Sequence, residues 1–297
     1  MTNLTEIHEI KALLDRHGFR FSKSLGQNFL RASWVPEKIA DAAGLDEHTG
    51  VLEIGPGIGC LTAELSRRAK KVLSIEADRA LQPVLAETLS GRENVELLFG
   101  DALKQDFAAL ARERFASCGR AVVCANLPYN ISSPVLTALV RAGRFQRLTV
   151  MVQRELAQRV CAREDTADYG AFTVLMQWHA LPEKLFDVPP DCFIPAPKVT
   201  SSVLRLERRA APPAAVNDEG RMFALVRAAF GQRRKTLCNA LANGMGLPRE
   251  RIAEALKGLN LDERVRGEAL SLADFAALSD ALSENMTGPA RTAGPAS

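Results

Sequence analysis

From Val51 onward, short runs of aliphatic and β-branched residues alternate with amphipathic segments, and this alternation constrains the fold more than any other feature. The runs predict strands over Val51–Gly55, Lys71–Ala77, Val95–Asp101, Ala121–Leu127 and Leu148–Gln153. Helical spacing predicts helices between them, over Leu61–Ala69, Arg79–Leu89, Phe107–Phe115 and Pro134–Ala142. Apolar strands joined by amphipathic helices indicate a parallel sheet covered on both faces. We therefore expect a doubly wound α/β domain, with a closing antiparallel pair near His179–Val188 and Val199–Leu206.

The composition changes after this domain. Glu207–Gly220 contains prolines and alanines but few large apolar residues, which indicates a linker. Beyond it, helical periodicity recurs over Arg221–Phe230, Arg234–Ala242, Arg249–Lys257 and Leu272–Leu282. The predicted organisation is a domain over residues 1–206, a linker over 207–220, a small all-helical domain over 221–285, and a disordered tail over 286–297.

Composition narrows the class of protein. Apolar residues make up 47% of the chain, and the net charge is only +3, so a globally basic nucleic-acid coat is excluded while local patches stay open. The six cysteines form no Cys-x-x-Cys pair and the four histidines are scattered, which predicts reduced thiols and no metal site. No signal peptide, membrane span or long heptad pattern is present, so we expect a soluble, cytoplasmic monomer.

The first predicted strand runs directly into a glycine-rich loop that begins Gly55-Pro56-Gly57. Glycines at a strand-to-helix turn let the backbone approach a ligand closely, because no Cβ stands in the way. A dinucleotide-binding loop would place its third glycine where this chain has Cys60. Glu53 before the loop also favours S-adenosylmethionine over a dinucleotide. The loop alone is equally compatible with a tight structural turn, so its neighbours decide the interpretation.

Two acids at the ends of successive strands are those neighbours. Glu76 ends the second strand, where a carboxylate can accept hydrogen bonds from both ribose hydroxyls. Asp101 ends the third strand, where it can meet the exocyclic amine of adenine. Either acid alone is more often a helix cap or a solvated turn. Together with the glycine loop they predict a pocket for the adenosyl group.

The fourth strand is followed by Asn126-Leu127-Pro128-Tyr129, which suits methylation of an amine on a planar base. Hydrogen bonds from adenine N6 to the Asn126 side chain and to a backbone carbonyl, such as that of Leu127, would orient the amine and stabilise its developing charge. Pro128 stiffens the turn. Tyr129 can stack on the base, a contact worth about 1–3 kcal/mol. Water can take the proton after transfer, so we nominate no acidic general base.

Phe193 lies in a loop braced by Pro195 and Pro197. It is a candidate to sandwich the flipped base opposite Tyr129. A phenylalanine that packs beneath the loop is an almost equally good interpretation of the same residues.

In combination, these segments resemble the ribosomal RNA adenine dimethyltransferase family, the kasugamycin-sensitivity enzymes of bacteria. The resemblance spans about residues 20 to 275 and rests on Ser24–Leu30, Glu53–Thr62, Asn126–Pro134, Tyr169-Gly170, Phe193–Val199 and Arg233–Leu237. Thr200 departs from the family, since many relatives carry aspartate there. Macrolide-resistance methyltransferases, which modify large-subunit rRNA, share the amine motif, but Leu25–Leu30 and Asn126–Pro134 fit the small-subunit branch better.

The resemblance implies a Rossmann-like class I methyltransferase fold with a helical C-terminal domain. It also implies dimethylation, by S-adenosylmethionine, of two adjacent adenosines at N6 in the 3′-terminal hairpin of 16S rRNA. The substrate would be an assembling small ribosomal subunit rather than naked RNA. By matching position, Asn28 and Leu30 would close over a cofactor that is held by Gly55, Gly57, Glu76, Asp101 and Asn126.

Local charge favours an RNA partner despite the small net charge. Six basic residues and no acid lie between Arg221 and Arg249, among them Arg227, Arg233, Arg234 and Lys235. Lys23 belongs to a second acid-free stretch near the N-terminus. Such patches neutralise phosphates and give sequence-independent affinity. An ordinary solvated basic face is the alternative interpretation of each patch.

Three other functions stay open at this point. An adenine methyltransferase that acts on DNA would use the same chemistry. A noncatalytic RNA-binding or ribosome-assembly factor could keep the scaffold, although Glu76, Asp101 and Asn126 are all present. A nicotinamide-dependent oxidoreductase is disfavoured by Cys60 and by the Asn-x-Pro-Tyr turn.

Overall fold

The structure is a computed structural model that describes residues 4, 6–22 and 26–284 of the chain. The predicted RNA contact Lys23 and the predicted tail over 286–297 lie outside these residues. Contacts between Cα atoms divide the chain into two units. The first unit holds residues up to Cys161 together with His179–Arg209, and the second holds Ala162–Trp178 and the chain from Ala210 onward.

The first unit is built on a sheet of seven strands. Its strands are β2 (Thr49–Ile54), β3 (Lys71–Glu76), β4 (Val95–Phe99), β5 (Arg120–Asn126), β6 (Arg147–Gln153), β7 (Ala180–Val188) and β9 (Ser201–Arg208), in the order β4-β3-β2-β5-β6-β9-β7. The first five strands in this order pair in parallel, and β9 pairs antiparallel with both β6 and β7. A separate antiparallel pair joins β1 (Phe29–Leu30) to β8 (Phe193–Ile194).

The predicted α/β class is confirmed, and its physical basis is burial. All six residues of β2 are buried, which requires cover on both faces of the sheet. The helices of this unit are α1 (Ile7–Arg16), α2 (Trp34–Ala43), α3 (Cys60–Arg68), α4 (Gln82–Thr88), α5 (Phe107–Arg114), α6 (Ser132–Ala142) and α7 (Arg154–Val160). Local chemistry sets several of their ends: the Asp106 carboxylate caps α5, and left-handed Gly44 and Gly143 terminate α2 and α6.

The second unit is helical. Its helices are α8 (Ala171–His179, whose last residue groups with the first unit), α9 (Glu219–Gly231), α10 (Leu237–Met245), α11 (Arg249–Gly258) and α12 (Leu272–Glu284). Residues 162–178 belong here, whereas the sequence had placed them in the first domain. The reason is specific contact, since the Tyr169 hydroxyl donates to the Leu270 carbonyl at 2.9 Å and Trp178 Nε1 donates to a Glu219 carboxylate oxygen at 3.2 Å.

Candidate active site

A pocket of about 360 Å³ opens at the carboxyl ends of the central parallel strands. Its walls come from Ile54 and the glycine loop after β2, and from residues 75–77, 100–103 and 126–131, which end or follow β3, β4 and β5. Residues 26–30 of the N-terminal segment complete the lining. The chain leaves β2 toward β3 on one side, and β5 lies on its other side, so the pocket sits at the switch point where doubly wound sheets bind ligands.

The glycine loop comes as close to its surroundings as the sequence predicts. Gly55 and Gly57 have φ angles of 72° and 59°, a left-handed conformation that residues with a Cβ rarely adopt. A Cβ on Gly57 would lie 3.0 Å from Cδ1 of Phe29, and one on Gly55 would lie 3.3 Å from the Pro128 ring. Only glycine leaves this wall of the pocket open.

Glu76 lines the pocket from the end of β3 and is largely buried. Burial raises the pKa of its carboxyl above the ordinary value, and hydrogen bonds from backbone N–H groups partly offset that effect. The Asp78 N–H donates to Oε1 at 2.8 Å, and the Gly57 N–H lies 3.4 Å from Oε2. These contacts orient the carboxylate toward the glycine loop, at the position predicted for a ribose partner.

Asp101 also lines the pocket, but it is exposed. Its Oδ1 accepts from the Leu103 N–H at 2.9 Å and caps a short turn over Ala102–Lys104. The Oδ2 atom makes no hydrogen bond with the part of the chain that the structure describes. The capping role and the predicted adenine contact are therefore compatible, because they use different oxygens.

Asn126 ends β5, and the turn that follows it is fixed by three hydrogen bonds. The Leu127 N–H donates to the Met151 carbonyl at 3.1 Å. The Pro128 carbonyl accepts from the Ile131 N–H at 3.1 Å and from the Ser132 hydroxyl at 2.9 Å. This network brings Asn126, Leu127, Pro128 and Tyr129 into the lining of the same pocket as Glu76 and Asp101.

The N-terminal segment closes one side of the pocket. The Asn28 side chain donates to the Gly26 carbonyl at 2.9 Å, and Leu30 pairs with Phe193 in the β1–β8 ladder. Gln27, which the sequence did not single out, donates to the Asp78 carboxylate at 2.7 Å and so ties the segment to the turn beside Glu76. Asn28 and Leu30 both line the pocket, as the resemblance implies.

Phe193 occupies a different environment from the other predicted site residues. Its side chain is 3% exposed and belongs to the buried core of the first unit, and it is not among the residues that line the pocket. In this structure, therefore, the ring contacts the core beneath the loop instead of facing the pocket. The base-sandwich role of Phe193 stays a prediction.

Two buried side chains beside the pocket escaped sequence reasoning. Glu53 is 1% exposed, and its Oε2 accepts from the Ser74 hydroxyl at 2.6 Å and the Thr62 hydroxyl at 2.7 Å. Burial raises the pKa of Glu53 to about 7. Ser201, the first residue of β9, lies with its Oγ 2.6 Å from the Tyr129 hydroxyl. Nothing in the sequence links Ser201 to Tyr129, because 72 residues separate them.

The predicted RNA contacts of the helical unit differ in their surroundings. Arg233 donates to a Glu268 carboxylate oxygen at 2.9 Å and to the Thr166 carbonyl at 3.1 Å, so it has a structural use within this unit. Arg227, Arg234 and Lys235 are exposed and form no ion pair with other described residues. Their role in RNA binding stays a prediction.

Among residues 4, 6–22 and 26–284, no helix is long and apolar enough to cross a membrane. The same residues contain no group of three or more His, Cys, Asp or Glu side chains that could hold a metal ion.

Two solved structures are similar to this chain. One is a dimethyladenosine transferase from Plasmodium falciparum, with a TM-score of 0.70 and 26% identity, covering 84% of this chain and 95% of that chain. The other is the 23S rRNA methyltransferase ErmE, with a TM-score of 0.64 and 30% identity, covering 86% of this chain and 100% of that chain.

Sequence similarity extends over nearly the whole chain. A Geobacillus thermodenitrificans protein named ribosomal RNA small subunit methyltransferase A is 46% identical over 278 residues, which cover 92% of this chain and 94% of the relative. A Clostridium perfringens protein of the same name is 43% identical over 287 residues, covering 96% and 99%. The family described as ribosomal RNA adenine dimethylase matches residues 18–284. The chain therefore belongs to the ribosomal RNA adenine dimethylase family.

Proposed function

We propose that this chain uses S-adenosylmethionine to dimethylate N6 of two adjacent adenosines in the 3′-terminal hairpin of 16S rRNA. The observation that carries the proposal is a shared pocket: the Asn126–Tyr129 turn lines the same cavity as the glycine loop, Glu76 and Asp101. One cavity thus combines candidate groups for an adenosyl cofactor with candidate groups for an amine on a flat base. The small-subunit substrate is supported by relatives of that name at 43–46% identity, against 30% for the 23S rRNA enzyme.

The residues of the pocket fit S-adenosylmethionine. The volume of about 360 Å³ falls within the roughly 300–1,000 Å³ that is usual for small-molecule sites. Gly55 and Gly57 form a cradle that a Cβ would fill, Glu76 offers carboxylate oxygens to ribose hydroxyls, and the Oδ2 of Asp101 can accept from an adenine amine. When bound, the cofactor supplies a sulfonium methyl group: an N6–C bond forms as the S–C bond breaks, and water takes the released proton.

The chain's own part in this reaction is orientation and electrostatic stabilisation. The Asn126 side-chain oxygen and the Leu127 carbonyl would accept the two N6–H groups, which directs the nitrogen lone pair toward the methyl group and stabilises positive charge on nitrogen. Tyr129 would stack on the base. Because Leu127 is fixed to Met151 and Pro128 to Ser132, these acceptors need no rearrangement when the base arrives.

The wider setting follows from the same proposal. The substrate would be an assembling small subunit, bound in part through Arg227, Arg234 and Lys235. A cytoplasmic location and a monomeric state remain predictions from the sequence.

The decisive experiment is methyl transfer from labelled S-adenosylmethionine to small ribosomal subunits taken from cells that lack this activity. We expect dimethyladenosine in small-subunit RNA and none in large subunits or DNA. Asn126→Ala should lower the rate by at least about 100-fold, the effect of losing an acceptor that acts in the transition state.

Cofactor binding is measured in parallel as the thermal stabilisation that S-adenosylmethionine, but not NAD, produces. If the wild-type protein binds the cofactor and the subunit yet transfers no methyl group, the enzymatic proposal fails. Transfer to large subunits instead would make the 23S rRNA the substrate.

A further inference from the structure

The Tyr129 hydroxyl ends on a residue that no sequence motif assigns to the site. Its oxygen lies 2.6 Å from Ser201 Oγ, within strong hydrogen-bond distance for two hydroxyls. Ser201 is 0% exposed, whereas Tyr129 is half-buried and lines the pocket. The two residues therefore form a bond that starts in the pocket wall and ends in the interior of the first unit.

The topology of the sheet brings Ser201 to this place. Ser201 begins β9 and pairs with Gln153 at the end of β6, while Met151 of β6 pairs with Asn126 at the end of β5. An antiparallel strand between β6 and β7 thus presents its first residue at the sheet edge where the catalytic turn leaves β5. A parallel strand in the same place would present its last residue there.

This bond fixes the plane of the Tyr129 ring. The backbone of the turn is already held by the Leu127–Met151 and Pro128–Ser132 hydrogen bonds, and the bond to Ser201 holds the far end of the ring. Tyrosine has only two side-chain torsions, so restraint at both ends leaves the ring little freedom. Burial also raises the pKa of the Tyr129 hydroxyl, so it stays protonated and is unsuited to accept the N6 proton.

The ring matters more for the second methyl transfer than for the first. An unmodified N6 amine has two N–H groups, and both can be held by the acceptors at Asn126 and Leu127. After one transfer a single N–H remains, and a methyl group must be accommodated beside it. Stacking on Tyr129 then carries a larger share of the orientation of the base.

We infer that Ser201 is a positioning residue which, by holding the Tyr129 ring, determines whether the second methyl group is added. The inference rests on the proposed function and deepens it, because it names what separates a monomethylating from a dimethylating site. Loss of the Ser201 hydroxyl would leave the pocket lined as before while loosening the ring.

The test measures monomethyl- and dimethyladenosine over time in small-subunit RNA for wild type, Ser201→Ala, Tyr129→Phe and the double variant. In Ser201→Ala we expect the rate of the second transfer to fall about three- to tenfold relative to the first, as for the loss of one hydrogen bond, so that monomethyladenosine accumulates. The KM for S-adenosylmethionine should be unchanged. Tyr129→Phe, which removes only the hydroxyl, should give the same ratio, and the double variant should be no worse than either single one.

Ser202→Ala is the matched control, because Ser202 is the next residue of β9 and donates to the Asp187 carboxylate at 2.6 Å. It should keep the wild-type product ratio. An unchanged ratio in both Ser201→Ala and Tyr129→Phe, or additive effects in the double variant, would overturn the inference while the proposed function stands. A wild-type protein that transfers no methyl group would overturn both.

Discussion

Glu53 and Glu76 end neighbouring regions of the sheet, yet the structure gives their carboxyl groups different tasks. Glu76 lines the pocket and can accept hydrogen bonds from a ligand. Glu53 lies behind the glycine loop, where its Oε2 joins the Thr62 hydroxyl of α3 to the Ser74 hydroxyl of β3. Since β2 runs from Glu53 straight into the loop, this buried carboxyl connects both flanks of the cofactor cradle.

The raised pKa of Glu53 gives stability a pH dependence near neutrality. Because burial raises the pKa from 4.5 to about 7, the contribution of Glu53 to stability is fully present below the unfolded value and is lost as the pH rises through about 7. We expect the free energy of unfolding of the wild type to fall by about 1–1.5 kcal/mol from this group between about pH 6 and pH 8. Glu53→Gln cannot ionise and should lack that loss in denaturant titrations.

Glu113→Gln, a substitution at an exposed glutamate of α5, serves as the control and should keep the wild-type pH dependence. If Glu53→Gln and wild type lose stability in parallel over this range, the carboxyl of Glu53 is not the group that titrates.

At this scale the sequence predicted residues whose position follows from one strand. Glu76, Asp101 and Asn126 could be found because each comes at or just after the end of a parallel strand, and such ends share one edge of the sheet. Ser201 could not be found in this way, because its contact depends on an antiparallel strand that enters the sheet 72 residues after Tyr129. Phe193 was misleading because two prolines in its loop suggested exposure, whereas its ring lies in the core.

Among the elements, the parallel strands were predicted within one or two residues of their observed bounds, because continuous apolar runs define them. The pair β7 and β9 was also predicted, but its place beside β6 was not, since periodicity carries no information on strand order. The two-residue strands β1 and β8 are too short to show any period. The sequence placed α8 in the wrong unit because its partners, Leu270 near Tyr169 and Glu219 near Trp178, are distant in the chain.

The packing of α9 against α10 depends on small residues at their contact. A Cβ added at Gly244 of α10 would lie 2.9 Å from the Cβ of Ala228 in α9, closer than real Cβ atoms approach. We therefore expect Gly244→Ala to lower the free energy of unfolding by about 1–3 kcal/mol through overpacking. Thermal or denaturant unfolding of the full chain measures the change.

Gly231→Ala is the matched control on α9, because an added Cβ there would meet no atom within 4 Å. It should be neutral or stabilise by up to about 1 kcal/mol, as alanine does in an open helical position. A stabilised Gly244→Ala variant would show that the two helices can separate at no cost.

For the molecule as a whole, charge is distributed rather than dominant. The net charge is +3, but the helical unit presents Arg227, Arg234 and Lys235 without acidic partners among the described residues. Arg233, next in sequence, is engaged by Glu268. Adjacent basic residues of one motif therefore have different surroundings.

We expect Arg234→Gln combined with Lys235→Gln to weaken binding to small subunits and to reduce the slope of log affinity against log salt by about 1.5–2. Filter binding over a range of salt concentrations measures both quantities. Arg233→Gln should leave the slope near the wild-type value and lower the stability of the helical unit by up to about 1 kcal/mol, since the ion pair is partly exposed. Equal slopes for all three proteins would remove this surface from the RNA interface.

The β1–β8 pair has a consequence for the order in which the protein is made. Phe29 and Leu30 border the pocket early in the chain, yet their partners Phe193 and Ile194 emerge from the ribosome more than 160 residues later. At synthesis rates of about 5–20 residues per second, the N-terminal segment waits roughly 10 to 30 seconds for its strand partner. A nascent chain therefore completes its cofactor pocket only when two thirds of it has been translated, and an enzyme of ribosome assembly gains its own binding site while still attached to a finished ribosome.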